Sequence, residues 1–496
     1  MVTALPRLVV AAPASGHGKT TVATGLMAAL RRTGLAVSGH KVGPDYIDPG
    51  YHALATGRPG RNLDPHLVGE ELVVPLLLHG AGVGGAGADV AVIEGVMGLY
   101  DGHIGRDGFA STAHVARLTD SPVVLVVDIS HASRTIAATV LGMTAFDPAV
   151  RIAGVVLNKA GSVRHSDEVR RALAPLGIPV LGVLQRDDDV TAPSRHLGLV
   201  PAAERPEAAR SLDHLAGKVA ASIDLEAVVR IARSAPALPG PAWSAREAVV
   251  GGGRGSDDDH DDDDTARPLI AVAGGRAFTF RYTETVELLE AAGCAVAPFD
   301  PLAEEALPEG TAGIYLGGGF PEVHAGELAA NEPMLRALRA ATSAGVPTVA
   351  ECAGLLYLCR SVDGLPMVGA IDADAAMAPR LTLAYRRSTA CADSVLAAAG
   401  TEVTGHEFHR TAVTPAAGAR TTGAAPAWTS SAGPEGFIHG SVHASYLHTH
   451  WAGHPALAVR FAAHARRFAT QSGRLARGSR DGSGASPCGR GRALAE

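Results

Sequence analysis

One short segment near the start of the chain limits its fold more than any other. Residues 14–21, Ala-Ser-Gly-His-Gly-Lys-Thr-Thr, follow an apolar run and precede a helical pattern that begins near Lys19. Glycines let backbone N–H groups turn toward a phosphate, and the N-terminus of the following helix favours negative charge there. In such a loop Lys19 would reach the terminal phosphates and Thr20 would hold Mg²⁺. The segment predicts a phosphate-binding loop, and a structural glycine-rich turn is the alternative. The segment departs from the usual pattern at Pro13, where that pattern has glycine.

The rest of the first half alternates short apolar runs with helical patterns. Helical stretches such as 112–118 and 166–173 lie between strand candidates, which in chain order are residues 7–12, 36–40, 89–94, 122–128, 151–158 and 179–184. Repeated strand–helix–strand units predict a parallel sheet covered on both faces, a doubly wound α/β domain over residues 1–240. Order resumes near residue 268, and strand candidates at 269–273, 313–316 and 346–351 predict a second α/β domain over residues 268–465.

Two segments have the composition of disordered chain. Residues 257–264 hold seven aspartates and one histidine, inside a stretch, 241–267, with little apolar surface to offset its conformational entropy. We therefore predict an acidic disordered linker over 241–267 and a disordered tail over 466–496. The formal net charge of −7 equals the charge of the aspartate run, so the rest of the chain has no excess of basic residues with which to bind nucleic acid.

The cellular setting is predicted from cysteines and apolar runs. Five cysteines, an odd number without paired spacing, favour a reducing compartment. Met1 to Val10 has no signal-peptide pattern, and no apolar run approaches the ~20 residues that span a bilayer. The sequence predicts a cytoplasmic protein that binds no membrane.

Polar residues follow the second and third predicted strands of the first domain. Ligands of open α/β sheets bind at the carboxyl ends of the strands, so these residues are candidates to face Mg²⁺, phosphate or substrate. An ordinary polar loop, or a strand-ending acid in water, is the alternative for each. The candidates after the second strand are Lys41, Asp45, Tyr46 and Asp48, those after the third are Glu94 and Asp101, and Asn158 after a later strand is a candidate to read adenine.

The second domain carries a candidate nucleophile, Cys352, between a predicted strand and an apolar helix. A sharp strand-to-helix turn exposes a thiol, and the helix N-terminus stabilises its thiolate. Gly318 and Gly319, after a neighbouring strand, would aim N–H groups at an oxyanion, and His448 downstream would be the base. The alternative for Cys352 is a small buried core residue.

Six segments, in order from residue 14 to residue 450, resemble the cobyrinate or hydrogenobyrinate a,c-diamide synthases of corrinoid biosynthesis. The loop at residues 41–52 is the most specific and argues against the sister cobyric acid synthases. The first half resembles dethiobiotin synthetase in fold, and the second half resembles class I glutamine amidotransferases. The segments are Ala-Ser-Gly-His-Gly-Lys-Thr-Thr, Lys-Val-Gly-Pro-Asp-Tyr-Ile-Asp-Pro-Gly-Tyr-His, Glu-Gly-Val-Met-Gly-Leu-Tyr-Asp-Gly, Leu-Gly-Gly-Gly-Phe-Pro-Glu, Gly-His-Glu-Phe-His and Ser-Tyr-Leu-His-Thr-His.

The resemblance implies a two-site enzyme. Cys352 would attack the glutamine amide with His448 as base, and ammonia would cross to the ATP site, where the a- and c-carboxylates are phosphorylated in turn. ATP, L-glutamine and a corrinoid acid would be its ligands, and a homodimer is one option for its assembly. Mg²⁺ would be held by Thr20, Asp45 and Glu94, the nucleotide by Gly16, Gly18, Lys19, Thr20, Thr21, Lys41 and Asn158, and the substrates by Asp45, Tyr46, Asp48, Asp101, Gly318 and Gly319.

Several points stay open at this level. The family often has glycine at the position of Ala353, and related amidotransferases carry glutamate at the position of His450, so the group that orients His448 is undetermined. The substrate is either the metal-free or the cobalt-containing acid, or another tetrapyrrole acid such as nickel-sirohydrochlorin. A P-loop ATPase of the switch class would explain residues 1–230 without using Cys352, and a free-standing glutaminase would leave the first domain without a role.

Overall fold

The computed structural model describes residues 2–186, 194–195, 198–201, 207–253, 266–419, 423–473 and 476–477. In the first half, the strands are β1 Val2–Thr3, β2 Arg7–Ala11, β3 Val37–Val42, β4 Arg61–Leu63, β5 Val90–Glu94, β6 Val123–Asp128, β7 Ile152–Ala160, β8 Val180–Gln185, β9 Ser194–Arg195, β10 Gly198–Leu199 and β11 Leu238–Pro239. The helices are α1 Lys19–Arg32, α2 Ile47–Thr56, α3 Pro65–Val68, α4 Glu70–Gly80, α5 Thr112–Leu118, α6 Thr135–Phe146, α7 Val163–Leu173, α8 Ala208–Ser222, α9 Leu225–Arg233 and α10 Ala245–Gly251.

The first domain is built on a parallel sheet with the order β4-β3-β5-β2-β6-β7-β8. Side chains alternate across the sheet, so Leu8 and Val10 of β2 pack under α1, α8 and α9, while Val9 packs on the opposite face with α4, α5 and α7. Helix α1 buries Val22 and Leu26, spaced four residues apart, on the first of these faces. The chain first places β3, β4 and β5 on one side of β2 and then crosses to β6, β7 and β8 on the other side. Because the strands are parallel, the loops that follow β2, β3 and β5 meet at one edge of the sheet.

The second half continues the numbering. Its strands are β12 Ala266–Arg267, β13 Leu269–Ala273, β14 Ala295–Phe299, β15 Thr311–Leu316, β16 Thr348–Glu351, β17 Ser361–Val362, β18 Leu365–Pro366, β19 Asp374–Ala390, β20 Glu402–Thr414, β21 Trp428–Ser430, β22 Gly433–Glu435, β23 Phe437–His439, β24 Val442–Ser445, β25 His448–Thr449 and β26 Ala476–Arg477. Its helices are α11 Thr283–Ala291, α12 Ala325–Ala330, α13 Glu332–Ser343, α14 Ala353–Leu358 and α15 Pro455–Ser472.

Two sheets form the second domain. The first has the order β14-β13-β15-β16-β24-β23, parallel except for the antiparallel pair of β23 with β24. The second is dominated by the long antiparallel pair β19 and β20, which also carries β25 against its edge. His406 on β20 pairs in register with His448 on β25, so this hairpin supports the strand that bears the candidate base.

The structure differs from the predicted linker and tail at their inner ends. Helix α10 lies inside the predicted linker, where Trp243 and Val249 are 7% and 9% exposed and supply the apolar surface that the aspartate run lacks. Helix α15 runs seven residues past the predicted end of the second domain at residue 465, because Ala469 is buried against the core. The aspartates at 257–264 and the tail from 478 onward lie outside the described residues. In the part of the chain that the structure describes, no helix is both long and apolar enough to cross a bilayer.

Candidate active site

The predicted phosphate loop connects β2 to α1. Gly16 and Gly18 both have left-handed backbone angles, with φ of 86° and 88°, which glycine adopts without strain. A Cβ on Gly18 would lie 2.2 Å from Nδ2 of Asn158, so the loop also needs glycine there for space. Lys19 begins α1, and Thr20 and Thr21 lie in its first turn, where the N–H groups of a helix favour an anion.

Lys19 lies across this loop with little exposure to solvent. Its Nζ donates to the carbonyl oxygen of Met97 in the loop after β5. Burial, together with the charge of Lys41, lowers the pKa of Lys19 to about 8. The side chain therefore keeps its positive charge at neutral pH and is positioned between the phosphate loop and the loop after β5.

A buried cluster of charges lies beside Lys19, where the loops after β2, β3 and β5 meet. Thr20 Oγ1 donates to Glu94 Oε1 at 2.5 Å and lies 3.3 Å from Asp48 Oδ2. Lys41 Nζ is 2.6 Å from Asp48 Oδ2 and 2.9 Å from Glu94 Oε1. Burial alone would raise the pKa of Glu94, but the charge of Lys41 and hydrogen bonds from His52 and Thr20 hold it below its usual range. Glu94 is thus ionised although it is fully buried.

His52 belongs to this cluster, although it was not among the site residues predicted from the sequence. Its Nε2 is 2.7 Å from Glu94 Oε2, and the side chain is fully buried. Asp48 and His52 are four residues apart on α2, so both side chains lie on the helix face that meets Glu94. That spacing was the available signal, although it becomes informative only once residues 47–56 are known to be helical.

The carboxylate of Asp45, a predicted metal ligand, contacts the backbone at the start of α2. Its Oδ1 accepts from the N–H groups of Ile47 and Asp48, at 2.7 and 3.1 Å, and so caps the start of α2. An aspartate in a turn satisfies these first-turn donors well, which explains why this side chain faces its own backbone. Of the expected set of Thr20, Asp45 and Glu94, the structure brings Thr20 and Glu94 into contact, and Asp48 is the acid that lies beside them.

Two further candidates support the loops. Asp101 is exposed and accepts from the N–H of Gly98 at 3.0 Å, close enough for its charge to act on Lys19. Asn158 donates from Nδ2 to the carbonyl oxygen of His17 at 2.9 Å. This hydrogen bond holds the phosphate loop in place, and the contact of Asn158 with adenine stays a prediction.

Cys352 is placed as a nucleophile between β16 and α14. Its φ of 49° is positive, a strained conformation for a residue other than glycine and one that clusters at functional sites. The thiol is 4% exposed, and burial, assisted by Glu322, raises its pKa, so it is protonated at neutral pH. A base must therefore take its proton when the thiol attacks a substrate.

The glycine turn after β15 lies between Cys352 and His448. The N–H of Gly354 in α14 donates to the carbonyl oxygen of Gly317 at 3.1 Å, and a Cβ on Gly318 would lie 2.5 Å from His448 Cε1. The N–H of Gly318 donates to the carbonyl oxygen of Phe280 at 2.9 Å, so the expected oxyanion role does not fit its N–H in this conformation. Among the described residues, the N–H of Gly319 has no acceptor and remains the candidate donor.

His448 is a neutral, buried imidazole. Burial and the nearby His409 lower its pKa to about 3, so the ring is uncharged at neutral pH. Its ring stacks on that of His406, with centroids 4.9 Å apart, and Nδ1 has no hydrogen-bond partner among the described residues. The geometry supplies a thiol, a glycine turn and a base in one buried place.

Comparison with known proteins assigns the family. Residues 8–200 match the family model of the CobQ/CobB/MinD/ParA nucleotide binding domain, and residues 269–456 match the CobB/CobQ-like glutamine amidotransferase domain. The chain is 60% identical to the hydrogenobyrinate a,c-diamide synthase of Thermobifida fusca, over 92% of this chain and 96% of that protein. It is 56% identical to the enzyme of the same name from Streptomyces coelicolor, over 92% and 97%. The chain belongs to the a,c-diamide synthase family.

More distant members carry a different substrate in their name. The cobyrinate a,c-diamide synthase of Gloeobacter violaceus is 42% identical over 90% of this chain and 93% of that protein. The family confirms the predicted fold class, a nucleotide-binding α/β domain followed by an amidotransferase domain, and the predicted enzyme class, a glutamine-dependent amide ligase.

In this family member, the loop after β3 reaches the amidotransferase domain. The ring of Tyr46 stacks on Phe280, with centroids 5.2 Å apart, and lies 4.6 Å from Tyr282 and 5.2 Å from His448. Tyr46, a predicted substrate residue, packs between the two sites, directly after Asp45 and two residues before Asp48. The two sites are therefore joined by a single short loop.

Charged and polar side chains complete the contact between the domains. Arg61 Nη1 lies 2.7 Å from Glu284 Oε1, and its Nη2 lies 2.6 Å from Glu287 Oε1. Tyr385 on the long hairpin donates to Asp64 Oδ2 at 2.6 Å. These contacts join residues more than two hundred positions apart in the chain, so no local sequence pattern predicts them.

Proposed function

We propose that this chain uses ATP and glutamine to amidate the a- and c-carboxylates of hydrogenobyrinic acid in cobalamin biosynthesis. The observation that carries the proposal is the 60% identity, over nearly the whole chain, to a relative named for that reaction. The geometry supports it, because a phosphate loop with a buried acidic cluster and a buried Cys352–His448 site occur in one chain and meet at Tyr46.

The amidotransferase domain would release ammonia from glutamine. His448 takes the proton of Cys352 while the sulfur attacks the amide carbon, and the N–H of Gly319 stabilises the oxyanion. Collapse of this adduct expels ammonia, with the proton returned by His448, and leaves a thioester on Cys352. Water then attacks the thioester, which releases glutamate and restores the thiol.

The first domain would activate the acid. A substrate carboxylate attacks the terminal phosphorus of ATP, giving an acyl phosphate and ADP, and ammonia then displaces phosphate to form the amide; the sequence repeats at the second carboxylate. Lys19 and Lys41 offset the charge on the transferred phosphoryl group. The hydroxyl of Thr20 and the carboxylates of Asp48 and Glu94 are hard oxygen donors that fit Mg²⁺, which would neutralise phosphate charge when bound.

The substrate contacts remain proposals. Asp101 borders the phosphate loop from the exposed side, where a large macrocycle has access. Asp45 and Tyr46 lie on the loop that connects the two sites, and both would contact a corrinoid bound at the outer side of this loop. A homodimer and a cytoplasmic location also stay predictions; light scattering of the purified protein tests the first.

The metal state of the substrate is the finer question. Relatives at 49–60% identity are named for hydrogenobyrinate, and those at 39–42% for cobyrinate, which favours the metal-free acid. The test supplies the wild-type enzyme with ATP, Mg²⁺ and glutamine, together with either hydrogenobyrinic or cobyrinic acid, and measures product mass. Two amidations of the metal-free acid support the proposal. Amidation of the cobalt form alone would reassign the substrate, and no amidation of either acid would contradict the proposal.

A further inference from the structure

The amidotransferase site lacks an obvious group to orient its base. Related amidotransferases have glutamate two residues after the histidine, and this chain has His450 there. His450 turns away: its ring stacks on Tyr282, with centroids 4.2 Å apart, and its Nε2 lies 3.6 Å from Glu284 Oε2 at the domain interface. His450 therefore contacts groups of the interface and is not placed to hold the ring of His448.

A different carboxylate lies beside the base. Glu351 is the last residue of β16, next to the nucleophile in the chain, and its side chain is 5% exposed. Its Oε2 is 3.8 Å from His448 Nδ1, the ring nitrogen that has no hydrogen-bond partner among the described residues. Closing that gap to hydrogen-bond length requires a shift of about 1 Å, and hydrogen bonds of catalytic groups commonly tighten by such amounts when substrate binds.

The carboxylate of Glu351 is itself held firmly. Tyr315 donates its hydroxyl proton to Oε2 at 2.9 Å, and Thr449 donates to Oε1 at 3.0 Å. Trp451 Nε1 in turn donates to Thr449 Oγ1 at 3.1 Å. These groups lie on β15, on β25 and just after β25, so strands of both sheets fix the carboxylate next to the imidazole. A group held by rigid elements is suited to orient another.

We propose that Glu351 is the positioning residue of His448, in place of the glutamate that related amidotransferases carry two residues after the histidine. Glu351 accepts a hydrogen bond from Nδ1–H of His448, which fixes the tautomer whose Nε2 lone pair takes the thiol proton of Cys352. It also stabilises the imidazolium that forms when that proton arrives. The inference rests on the glutaminase half of the proposed function and specifies which side chain makes it work.

The surroundings of Glu351 make its role visible in a pH profile. Burial raises the pKa of Glu351 to about 7. Three tyrosines face Glu351: Tyr46, Tyr282 and Tyr315. Burial raises the pKa of these tyrosines and of Cys352 and lowers the pKa of His448, so these neighbours do not titrate near pH 7. Since the ionised carboxylate is the better acceptor, glutamine hydrolysis should rise with pH through about 7.

The test compares Glu351→Gln with two matched controls. Glu435→Gln changes another buried glutamate whose pKa burial raises to about 7, but which bonds Ser445 and the N–H of Tyr446. His450→Asn changes the residue at the position of the usual glutamate. For each variant, glutamate release gives kcat and KM for glutamine, and ammonia-dependent amidation reports whether the protein is folded.

For Glu351→Gln we expect kcat for glutamine hydrolysis to fall roughly 100- to 1,000-fold, with KM within about threefold and ammonia-dependent amidation retained. The rise through pH 7 should disappear in this variant and persist in Glu435→Gln. Both controls should keep kcat within about tenfold. If Glu351→Gln does not fold, Glu351→Asp replaces it: the charge remains but is one methylene farther from His448, and we expect a loss of about 10- to 100-fold.

Near-wild-type kcat in Glu351→Gln or Glu351→Asp, or a large loss in His450→Asn alone, would overturn the inference. A purely structural role would lower glutamine- and ammonia-dependent activity together and leave the pH profile unmoved. If the wild type itself releases no glutamate from glutamine, the proposed function fails. If the wild type is active and Glu351→Gln equals it, only the role of Glu351 fails.

Discussion

Arg61 ties the two domains together through buried carboxylates, and its removal should weaken the interface by an amount that depends on pH. The side chain of Glu284 is 1% exposed, so the change Arg61→Met leaves a buried carboxylate without its cation. Breaking a buried ion pair from one side costs about 3–5 kcal/mol. For domains of about 150–250 residues, a loss of that size lowers the midpoint of thermal unfolding by roughly 6–20 °C.

The pH dependence comes from His450, whose Nε2 is 3.6 Å from Glu284 Oε2. Burial lowers the pKa of His450 most; Glu284 raises it and Arg61 lowers it. Without Arg61, the effect of Glu284 remains, so the variant protonates His450 more readily than the wild type does. Lowering the pH therefore stabilises the variant relative to the wild type, because protonated His450 pairs with the stranded carboxylate. The penalty should be smaller at pH 6 than at pH 8.

The assay is thermal unfolding by calorimetry at both pH values, which resolves the separate transitions of a two-domain chain. Glu287→Gln is the matched control: its side chain is 26% exposed, so we expect a loss of about 1 kcal/mol. The double change Arg61→Met with Glu284→Gln should recover part of the loss, since no buried charge then remains. An unchanged midpoint in Arg61→Met would contradict the stabilising role of the Arg61–Glu284 pair, and a larger penalty at pH 6 than at pH 8 would contradict the pairing of protonated His450 with Glu284.

Three further predictions concern the two sites. Cys352→Ala should abolish glutamine-dependent amidation and leave ammonia-dependent amidation within about twofold; loss of both in a folded protein would contradict ammonia transfer. Gly318→Ala places a Cβ 2.5 Å from His448 Cε1 and should lower glutamine hydrolysis about 100-fold by displacing the imidazole, with ammonia-dependent amidation as the control. Asp48→Asn should lower ATP-dependent amidation about 100-fold, and at least tenfold more than Asp45→Asn, because asparagine still caps a helix; the reverse ranking in steady-state assays would count against the proposed metal ligands Thr20, Asp48 and Glu94.

Local sequence patterns predicted many of the helices and strands. The apolar runs predicted β5 and β6 to within one residue at each end, and α5 at Thr112–Leu118 and β13 at Leu269–Ala273 as they are observed. Such elements are specified by burial and by the period of their own side chains. The hairpin of β19 and β20 went unpredicted, because many of its side chains are exposed and the alternation that marks a half-buried strand is weak there.

The sequence predicts which residues belong to the site better than it predicts which of them contact one another. Thr20 and Glu94 come together as expected, because the ends of parallel strands meet at one edge of the sheet. Whether Asp45 or Asp48 joins them depends on how the start of α2 is capped. The sequence does not show that the carboxylate of Asp45 accepts a hydrogen bond from the N–H of Ile47. Glu351 could not be predicted for a similar reason: its neighbour His448 is nearly one hundred residues away in the chain. The parallel pairing of β16 with β24, which sets Glu351 opposite Ser445, brings the two side chains together.

An isotope label can follow nitrogen from the glutaminase site to the ATP site and so tests ammonia transfer directly. The enzyme is given glutamine labelled with ¹⁵N in its side-chain amide, ATP, Mg²⁺ and hydrogenobyrinic acid, in the presence of unlabelled ammonium. We predict a product with two new amides, both carrying ¹⁵N, with one ATP converted to ADP and phosphate for each amide, and no glutamine-derived label in the product of Cys352→Ala. ATP hydrolysis without amide formation, or a wild-type product that carries only unlabelled nitrogen, would contradict the account.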